Sequence, residues 1–273
     1  WYDSHPSENT LKGNIMSRWI RFRHGGHTKF GTLLEDKISI FKGNMFAEPT
    51  KTAETVSPED IEYLTPCQPT KIIGLVNNFH AAAEKQGLPI PEEPLYFFKP
   101  PSCYLPHKGE IVQPRSPIGR VIYEGEIGIV IGKTCRDVEA AEVDSCIFGY
   151  TCANDVTAMQ LIHRDGSFAQ WSRAKSFDTF GAFGPTIKTG IDPGKLTIQS
   201  ILNGRVRQDY PVSDMIFSPH ELVIRLSRDM TLVQGDLIIC GTSVGVLPMK
   251  PGSTIEIQIE GIGTLENTYV AAD

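Results

Sequence analysis

One apolar stretch, residues 121–131, constrains the fold of this chain more than any other segment. β-Branched residues alternate with glycine along it and Gly132 ends it, a pattern that predicts a buried strand. Side chains two residues apart leave a strand on the same face, so Glu124 and Glu126 would point the same way, roughly 6–7 Å apart. Adjacent carboxylates repel each other and are costly to bury unless a positive charge lies between them. The alternative is an edge strand with both acids in water.

A third acidic residue, Asp155, follows the next strand-like run at residues 146–148. Three carboxylates together would suit a hard divalent cation such as Mg²⁺, Mn²⁺ or Ca²⁺. The alternative is that Asp155 caps a helix near residues 156–163, which is a frequent use of aspartate. The residues alone leave both interpretations open.

Composition excludes several classes of function. With 273 residues, 40% of them hydrophobic, the chain can bury the core of one large domain, or of one large and one small domain. Its net charge of −6 argues against a nucleic-acid or anionic membrane surface. No run of about 18 apolar residues predicts a membrane span, and no glycine-rich motif supports nucleotide binding. The six cysteines form no C-x-x-C pair, which predicts reduced thiols in a cytoplasmic protein and gives no indication of zinc.

The chain divides into three predicted segments. Met16 has the character of a natural start, so residues 1–15, which lack the features of a signal peptide, are taken as an upstream segment and left out of the fold prediction. Residues 16–69 would form a small N-terminal β domain and residues 70–273 the large domain, with a turn-rich boundary at residues 66–70. The prediction is a mixed, β-rich α+β fold, closer to a folded-over sheet than to a doubly wound one.

Local patterns predict the individual elements of this fold. Strands are predicted at residues 19–22, 37–41, 71–76, 111–112, 121–131, 196–202, 221–226, 237–240, 254–259 and 264–269. Helices are predicted near residues 77–86, 137–141 and 156–163. Residues 49–60 are predicted as a polar loop, with a short helix starting at residues 57–60.

Eight ordered motifs run through residues 70–270. They are I-G-L-V-N (73–77) before a histidine; P-E-E-P (91–94) with F-F-K-P-P-S (97–102); Y-E-G-E (123–126); G-Y-T-C-A-N-D-V-T-A (149–158); W-S-R-A-K-S-F-D-T-F (171–180); G-P (184–185); G-D-L-I-I-C-G-T (235–242); and E-G-I-G-T-L (260–265). Together they closely resemble the fumarylacetoacetate hydrolase family, in particular its bacterial 2-hydroxyhepta-2,4-diene-1,7-dioate isomerases and acylpyruvate hydrolases.

The resemblance implies a folded-over β-sheet roll, a cytoplasmic homodimer and a divalent metal, usually Mg²⁺, bound by Glu124, Glu126 and Asp155. It places Lys175 beside both metal and substrate, where a lysine would offset the repulsion of the acids and stabilise an oxyanion. Thr242 would hydrogen-bond a carboxylate of the substrate. The alternatives are a purely structural counter-charge for Lys175 and a turn hydroxyl for Thr242. Lys99 would lie near the site in one interpretation, and a structural or solvated lysine explains it at least as well.

The resemblance also implies a histidine base in the segment after the first strand of the large domain, here His80. The family often pairs this histidine with a glutamate three residues on, whereas this chain has Glu84 four residues on and a longer segment before Gly87. Positions i and i+4 share a helix face, and a neutral histidine held by a carboxylate is a suitable general base near neutral pH. The alternative is a surface histidine on a flexible helix.

A second departure from the family concerns the substrate pocket. Where the family often has an arginine and a glutamine after the metal aspartate, this chain has Met159 and Ile162. Gln160 is the nearest replacement as a substrate-binding residue, although a helix would point it in a different direction. This difference does not affect the metal ligands that the resemblance implies. It puts the identity of the substrate in doubt.

Three reactions of a 2-oxo acid would use this machinery, because a Lewis-acidic metal stabilises the enolate common to all of them. They are hydrolysis of an acylpyruvate such as fumarylpyruvate, decarboxylation of an oxaloacetate-type acid, and keto–enol or double-bond isomerisation, as with the 2-hydroxy-diene-dioates of aromatic catabolism. The presence of both His80 and Glu84 favours acylpyruvate hydrolysis. An alternative of another class is a catalytically silent metal-binding protein, which the changed spacing and Met159 favour and the intact acidic residues disfavour.

Overall fold

A large sheet and a smaller one build the fold of the computed structural model, which describes residues 16–116 and 118–272. The predicted upstream segment, residues 1–15, lies outside the described residues. The strands are β1 (Arg18–His24), β2 (His27–Leu34), β3 (Lys37–Lys42), β4 (Thr50–Val56), β5 (Glu62–Tyr63), β6 (Ile72–Val76), β7 (Leu95–Lys99), β8 (Tyr104–Leu105), β9 (Glu110–Val112), β10 (Val121–Ile122), β11 (Gly125–Ile131), β12 (Ile147–Asp155), β13 (Thr157–Ala158), β14 (Gly181–Lys188), β15 (Thr197–Leu202), β16 (Arg205–Pro211), β17 (Leu237–Ile239), β18 (Thr254–Ile259) and β19 (Gly263–Val270). The α-helices are α1 (His80–Gln86), α2 (Val143–Cys146), α3 (Met159–Ile162), α4 (Trp171–Lys175) and α5 (Pro219–Asp229), and 3₁₀ helices span Pro58–Asp60, Pro101–Cys103, Pro193–Lys195 and Val212–Asp214.

The large sheet has twelve strands and runs in the order β4-β3-β2-β1-β14-β12-β11-β17-β6-β7, with β5 paired to β1 and β8 to β14. A five-stranded sheet, β16-β15-β18-β19-β9, packs against it, and β10 pairs with β13. Because β1 pairs with β14, the N-terminal strands extend the large sheet. The predicted β-rich α+β fold is confirmed, and the predicted boundary at residues 66–70 stays a prediction.

Strand β11 lies at the centre of the core, buried along its whole length. Ile127, Ile129 and Ile131 pack with the five-stranded sheet in the main apolar cluster. Val130, on the opposite face, packs with Met45 and Phe183 in a second cluster. A strand covered on both faces reads as a nearly continuous apolar run, which is why this segment was recognisable from the sequence and why the two acids at its start are unusual.

Four predicted elements differ from the structure. The strand predicted at residues 121–131 is broken at Tyr123–Glu124, because the Glu124 N–H donates to Asn154 Oδ1 at 3.0 Å instead of continuing a ladder. The helix predicted near residues 137–141 is wrong in position, since α2 occupies Val143–Cys146. The loop predicted at residues 49–60 contains β4, a mostly exposed strand that pairs with β3, which explains its polar composition. Asp155 ends β12 and does not cap a helix, because β13 intervenes before α3.

The strand predicted at residues 221–226 is also wrong, because these residues form the middle of α5. Ser218 and Glu221 form a reciprocal capping box at its start, and Pro219 occupies the first turn. Leu222, Val223 and Leu226 are buried, and this spacing is that of one helix face. The capping signal in the sequence outweighs the β-branched residues that suggested a strand.

Two further observations bear on the predicted class of protein. Within the described part of the chain, no helix has the length and apolar character needed to cross a membrane. All six cysteines carry free thiols, and all but Cys135 are buried.

Candidate metal centre

Three carboxylates converge where β11 and β12 pair. Glu126 lies in β11, Asp155 ends β12, and Glu124 lies in the break before β11. The Gly125–Asn154 register places the three side chains together, and one oxygen from each lies within 4.8 Å of the others. Glu126 and Asp155 are buried, whereas Glu124 is partly exposed. The structure therefore brings together the three residues predicted as metal ligands, with solvent access on the Glu124 side.

Two buried lysines hold these carboxylates. Lys175, at the end of α4, donates from Nζ to Glu124 Oε2 at 2.7 Å, to Asp155 Oδ2 at 2.5 Å and to Thr157 Oγ1 at 2.7 Å. Lys99, at the end of β7, donates to the other oxygen, Asp155 Oδ1, at 2.5 Å. Burial by itself would lower the pKa of Lys175, but Asp155 and Glu124 raise that pKa above its usual value. The ammonium form is therefore the stable one.

One carboxylate oxygen of this group has no partner. Glu126 Oε2 accepts a hydrogen bond from the Gly241 N–H at 2.7 Å, while Glu126 Oε1 is buried without a hydrogen-bond partner among the described residues. Burial first, and then the charges of Asp155 and Glu124, raise the pKa of Glu126 well above its usual value. Three carboxylates face only two ammonium groups, so the centre has an excess of negative charge. Three features together fit a divalent cation. The potential ligands are oxygens, Glu126 Oε1 has no hydrogen-bond partner among the described residues, and the group carries an excess of negative charge.

Thr242 lies on the loop that follows Gly241 and belongs to a second hydrogen-bond network. Its Oγ1 donates to the Gly125 carbonyl at 3.0 Å and accepts from Gln208 Nε2 at 2.9 Å. Gln208 Oε1 accepts from the Gly125 N–H at 3.1 Å, and the Tyr210 hydroxyl also donates to the Gly125 carbonyl. This network fixes the backbone between Glu124 and Glu126. Binding of a substrate carboxylate by Thr242 stays a prediction.

The remaining predicted site residues are not brought into the centre. His80 begins α1 and Glu84 lies one turn later, and both are exposed. In the part of the chain that the structure describes, neither side chain has a hydrogen-bond or ion-pair partner. Gln160 is exposed, and its Oε1 accepts from the Arg120 N–H at 2.6 Å, while Met159 is about half exposed. The roles predicted for His80, Glu84 and Gln160 stay predictions.

Sequence reasoning gave too little weight to Lys99 and missed Thr157, Gln208 and Tyr210. Alternation carries a signal for three of them. In β7 only Phe97 and Lys99 are buried, and in β16 only Gln208 and Tyr210 are buried. A lysine or glutamine at an inward position of an alternating strand must have buried partners. No comparable pattern marks Thr157.

Comparison with protein families gives two matches. Residues 71–270 match the fumarylacetoacetate (FAA) hydrolase C-terminal family, and residues 17–66 match a family described as Rv2993c-like, N-terminal. The larger match contains the whole candidate metal centre.

Individual relatives agree with these matches. An uncharacterized protein of Archaeoglobus fulgidus is 45% identical over 78% of this chain and 84% of its own length. An oxaloacetate tautomerase of Bacillus subtilis is 38% identical over 73% of this chain and 70% of its own length.

Solved structures share the fold over nearly the whole chain. A 2-hydroxyhepta-2,4-diene-1,7-dioate isomerase of Mycobacterium marinum superposes with a TM-score of 0.85 at 34% identity, covering 93% of this chain and 98% of the other. A maleylpyruvate hydrolase of Sphingobium, solved with manganese(II) and pyruvate, superposes with a TM-score of 0.76 at 26% identity, covering 94% and 100%. Similar proteins thus include an isomerase, a tautomerase and a hydrolase.

Proposed function

The chain belongs to the fumarylacetoacetate hydrolase family, and we propose that it is a divalent-metal-dependent enzyme that interconverts the keto and enol forms of a 2-oxo diacid such as oxaloacetate. The observation that carries this proposal is the buried centre of Glu124, Glu126 and Asp155 with its unpartnered oxygen. The similarity to an oxaloacetate tautomerase supports the choice of substrate.

The charges of the centre support a dianionic substrate. Three carboxylates and two lysine ammonium groups leave one negative charge in excess, and a divalent cation would turn this into one excess positive charge. A bound cation would supply Lewis-acid polarisation of a keto oxygen. The partly exposed side of Glu124 leaves an approach for the substrate from solvent.

Each lysine has a distinct part in this proposal. All three hydrogens of the Lys175 ammonium are used by Glu124, Asp155 and Thr157. Lys175 therefore holds two carboxylates in one place and offsets their repulsion. Lys99 uses one hydrogen on Asp155 and offsets the charge of that carboxylate from the opposite side. Together they preorganise the acids before substrate binds.

Tautomerisation is preferred over hydrolysis because the two side chains of α1 that would activate water, His80 and Glu84, are exposed. Moving one proton at the carbon next to a keto group requires no activated water. The water-activating pair proposed for hydrolysis, His80 with Glu84, consists of two exposed side chains without partners among the described residues. Tautomerisation does not depend on that pair.

Hydrolysis of an acylpyruvate such as fumarylpyruvate is the second candidate. His80 and Glu84 lie four residues apart on one helix, so they share a face from which a water could be activated. Similarity to a maleylpyruvate hydrolase supports this candidate. Decarboxylation of oxaloacetate, isomerisation of a 2-hydroxy-diene-dioate and a silent metal-binding role are outcomes that the same experiment separates.

The test is a side-by-side assay of the purified protein with Mg²⁺ or Mn²⁺, with and without EDTA. Enol oxaloacetate is followed by loss of enol absorbance, and acetylpyruvate and fumarylpyruvate by release of pyruvate. We expect EDTA-sensitive acceleration of the enol–keto exchange. Cleavage of an acylpyruvate without tautomerisation would favour hydrolysis, and CO₂ release from oxaloacetate would favour decarboxylation. Inactivity on every substrate would leave an isomerase of diene-dioates or a silent protein.

Glu84→Gln separates the two leading candidates. Because tautomerisation needs no activated water, we expect its rate to change less than about threefold, whereas loss of water activation would lower hydrolysis by roughly 100-fold. Glu92→Gln, in the exposed proline-rich segment after α1, is the matched control. His80→Ala in the same assays identifies whether His80 moves the proton in either reaction.

A further inference from the structure

A cavity away from the metal centre lies where β1 and β2 meet the segment after β3 and the turn before β17. Its volume is about 450 Å³, within the range of small-molecule sites. Its walls include Arg21 and Phe30 from neighbouring strands, Met45 and Phe46 from the segment after β3, and Gln234 from the turn before β17. None of the residues of the metal centre lines it, so it is a separate site.

Arg21 and Lys29 are the two charged side chains of the described residues that line this cavity. The Arg21 side chain is half-buried, and among the described residues its one hydrogen bond runs from Nη1 to the Thr65 carbonyl at 3.2 Å. No carboxylate of the described residues forms an ion pair with it, although neighbouring cations are paired: Arg23 with Glu62 at 3.0 Å and Lys29 with Glu54 at 2.9 Å. Burial lowers the pKa of Arg21, but a guanidinium stays charged in proteins. Most of the Arg21 donors therefore lack an acceptor in the part of the chain that the structure describes.

The rest of the lining matches an anion with an apolar body. No acidic residue of the described part of the chain lines the cavity, although the net charge of the chain is −6. The rings of Phe30 and Phe46 and the thioether of Met45 supply apolar surface. Strand pairing sets Arg21 directly opposite Phe30, so the guanidinium and one ring lie side by side on the same face of the sheet.

We propose that this cavity binds a small carboxylate with an apolar body, with Arg21 pairing the carboxylate and Phe30, Met45 and Phe46 covering the body. A planar guanidinium matches a carboxylate with two parallel hydrogen bonds. The apolar walls favour an aryl or alkyl acid over a small hydrophilic anion such as sulfate or formate. This site is independent of the reaction proposed above.

The probe is phenylacetate, compared with its neutral analogue phenylacetamide, in ligand-observed NMR titrations of the full chain. The titrations are made with Mg²⁺ and repeated with EDTA, since binding at the metal centre would change with chelation. Arg21→Met removes the cation, and Arg23→Met is the matched control, because Arg23 lies on the same face of β1 but is held by Glu62. Phe46→Ala tests the apolar wall while leaving Arg21 in place.

We expect phenylacetate to bind the wild-type and Arg23→Met proteins equally, with and without EDTA. Arg21→Met should lower the affinity for phenylacetate about tenfold, and the wild-type protein should bind phenylacetamide about tenfold more weakly than phenylacetate. This factor corresponds to the loss of one charge-assisted hydrogen-bonded pair. Phe46→Ala should weaken it too, which keeps the test decisive if Arg21→Met fails to fold. Absence of phenylacetate binding, equal binding of acid and amide, or binding that EDTA abolishes would each overturn the proposal.

Discussion

At the scale of single residues, the Oε1 of Glu126 is a buried carboxylate oxygen without a hydrogen-bond partner among the described residues. Glu126→Gln keeps an oxygen for the Gly241 N–H and removes the charge. We expect Mn²⁺ affinity, measured by calorimetry, to fall roughly 100-fold or more, since even outer partners of metal ligands are worth 10–100-fold. In EDTA the variant should unfold at the same or a higher temperature than wild type, because one repelling buried charge is gone.

The control for this prediction is Glu260→Gln, which removes an exposed carboxylate outside the centre. It should change neither metal affinity nor the melting temperature in EDTA. If Glu126→Gln bound Mn²⁺ as wild type does, Glu126 would be a structural acid and the assignment of a three-carboxylate centre would fail.

Lys99 is a buried lysine whose removal should cost stability. Its side chain is fully buried and ends on Asp155 Oδ1. Lys99→Met leaves three acids with one lysine, and breaking a buried ion pair from one side costs about 3 kcal/mol or more. Urea unfolding in EDTA measures this loss. Lys29→Met, which breaks an exposed pair with Glu54, should cost less than about 1 kcal/mol. Similar losses for the two variants would contradict a structural role for Lys99 in the centre.

The sequence identified some of these residues and not others for a physical reason. Glu124, Glu126 and Asp155 could be found because acids beside apolar strands are conspicuous and lie in recognisable motifs. Lys99 is surrounded by aromatic and proline residues that indicate a strand end, and its partner Asp155 is 56 positions away. Gln208 is likewise linked to Gly125 across 83 positions. Sequence patterns report local periodicity, whereas such partnerships depend on how two sheets pack.

At the scale of elements, the close approach of the two sheets explains the glycine between the two glutamates. A Cβ on Gly125 would lie 2.1 Å from Ser200 Oγ of β15 and 3.0 Å from Ile257 Cδ1 of β18. Gly125→Ala should therefore force the sheets apart and destabilise the protein by roughly 2–3 kcal/mol. Urea unfolding measures the change, and Mn²⁺ affinity should fall because Gly125 joins the two ligands.

A second substitution makes this prediction specific. Gly125→Ala with Ser200→Gly removes the closest atom and should recover part of the lost stability, giving a coupling energy of about 1 kcal/mol in a double-mutant cycle. Gly166→Ala is the control, since a Cβ there meets no atom within 4 Å. Strictly additive effects of the two substitutions would show that the steric contact with Ser200 is not the cause.

The elements themselves were predicted unevenly. Buried strands such as β11 and β18 were found because alternation and β-branched residues agree. Helix α5 was misread because its valine and isoleucine favour a strand locally, while its cap and its buried face favour a helix. The break before β11 could not be predicted, because it depends on a hydrogen bond from Glu124 to Asn154, a residue of the neighbouring strand.

At the scale of the whole molecule, the N-terminal strands contact both sheets. β1 pairs with β14 of the large sheet, and the ring of Tyr63 contacts the ring of His107 with centroids 4.6 Å apart. His107 Nδ1 in turn accepts from the Glu266 N–H at 3.0 Å, in the five-stranded sheet. One histidine thus joins the N-terminal strands to the second sheet, and it does so as a hydrogen-bond acceptor, which requires the neutral ring.

This contact should make the stability of the protein depend on pH. Burial, and then the charge of Lys108, lowers the pKa of His107 from 6.5 to about 4. Because the folded-state pKa is depressed, the stability that the neutral ring contributes is fully present above the unfolded pKa of about 6.5. It is lost as the pH falls from there towards 4, at no more than about 1.4 kcal/mol per pH unit for one group. His107→Asn, whose amide oxygen can still accept from Glu266, should make the free energy of unfolding less dependent on pH across this window.

Urea unfolding at several pH values between 7 and 4, in EDTA, compares the two proteins. All other carboxylates and histidines are shared, so the difference between the curves isolates His107. His27→Asn is the control, because His27 is exposed at the start of β2. Parallel curves for wild type and His107→Asn would mean that His107 titrates normally and that the Glu266 contact does not depend on the neutral ring. A steeper loss in wild type, confined to pH below about 6.5, would identify protonation of His107 as an acid-sensitive point between the N-terminal strands and the second sheet.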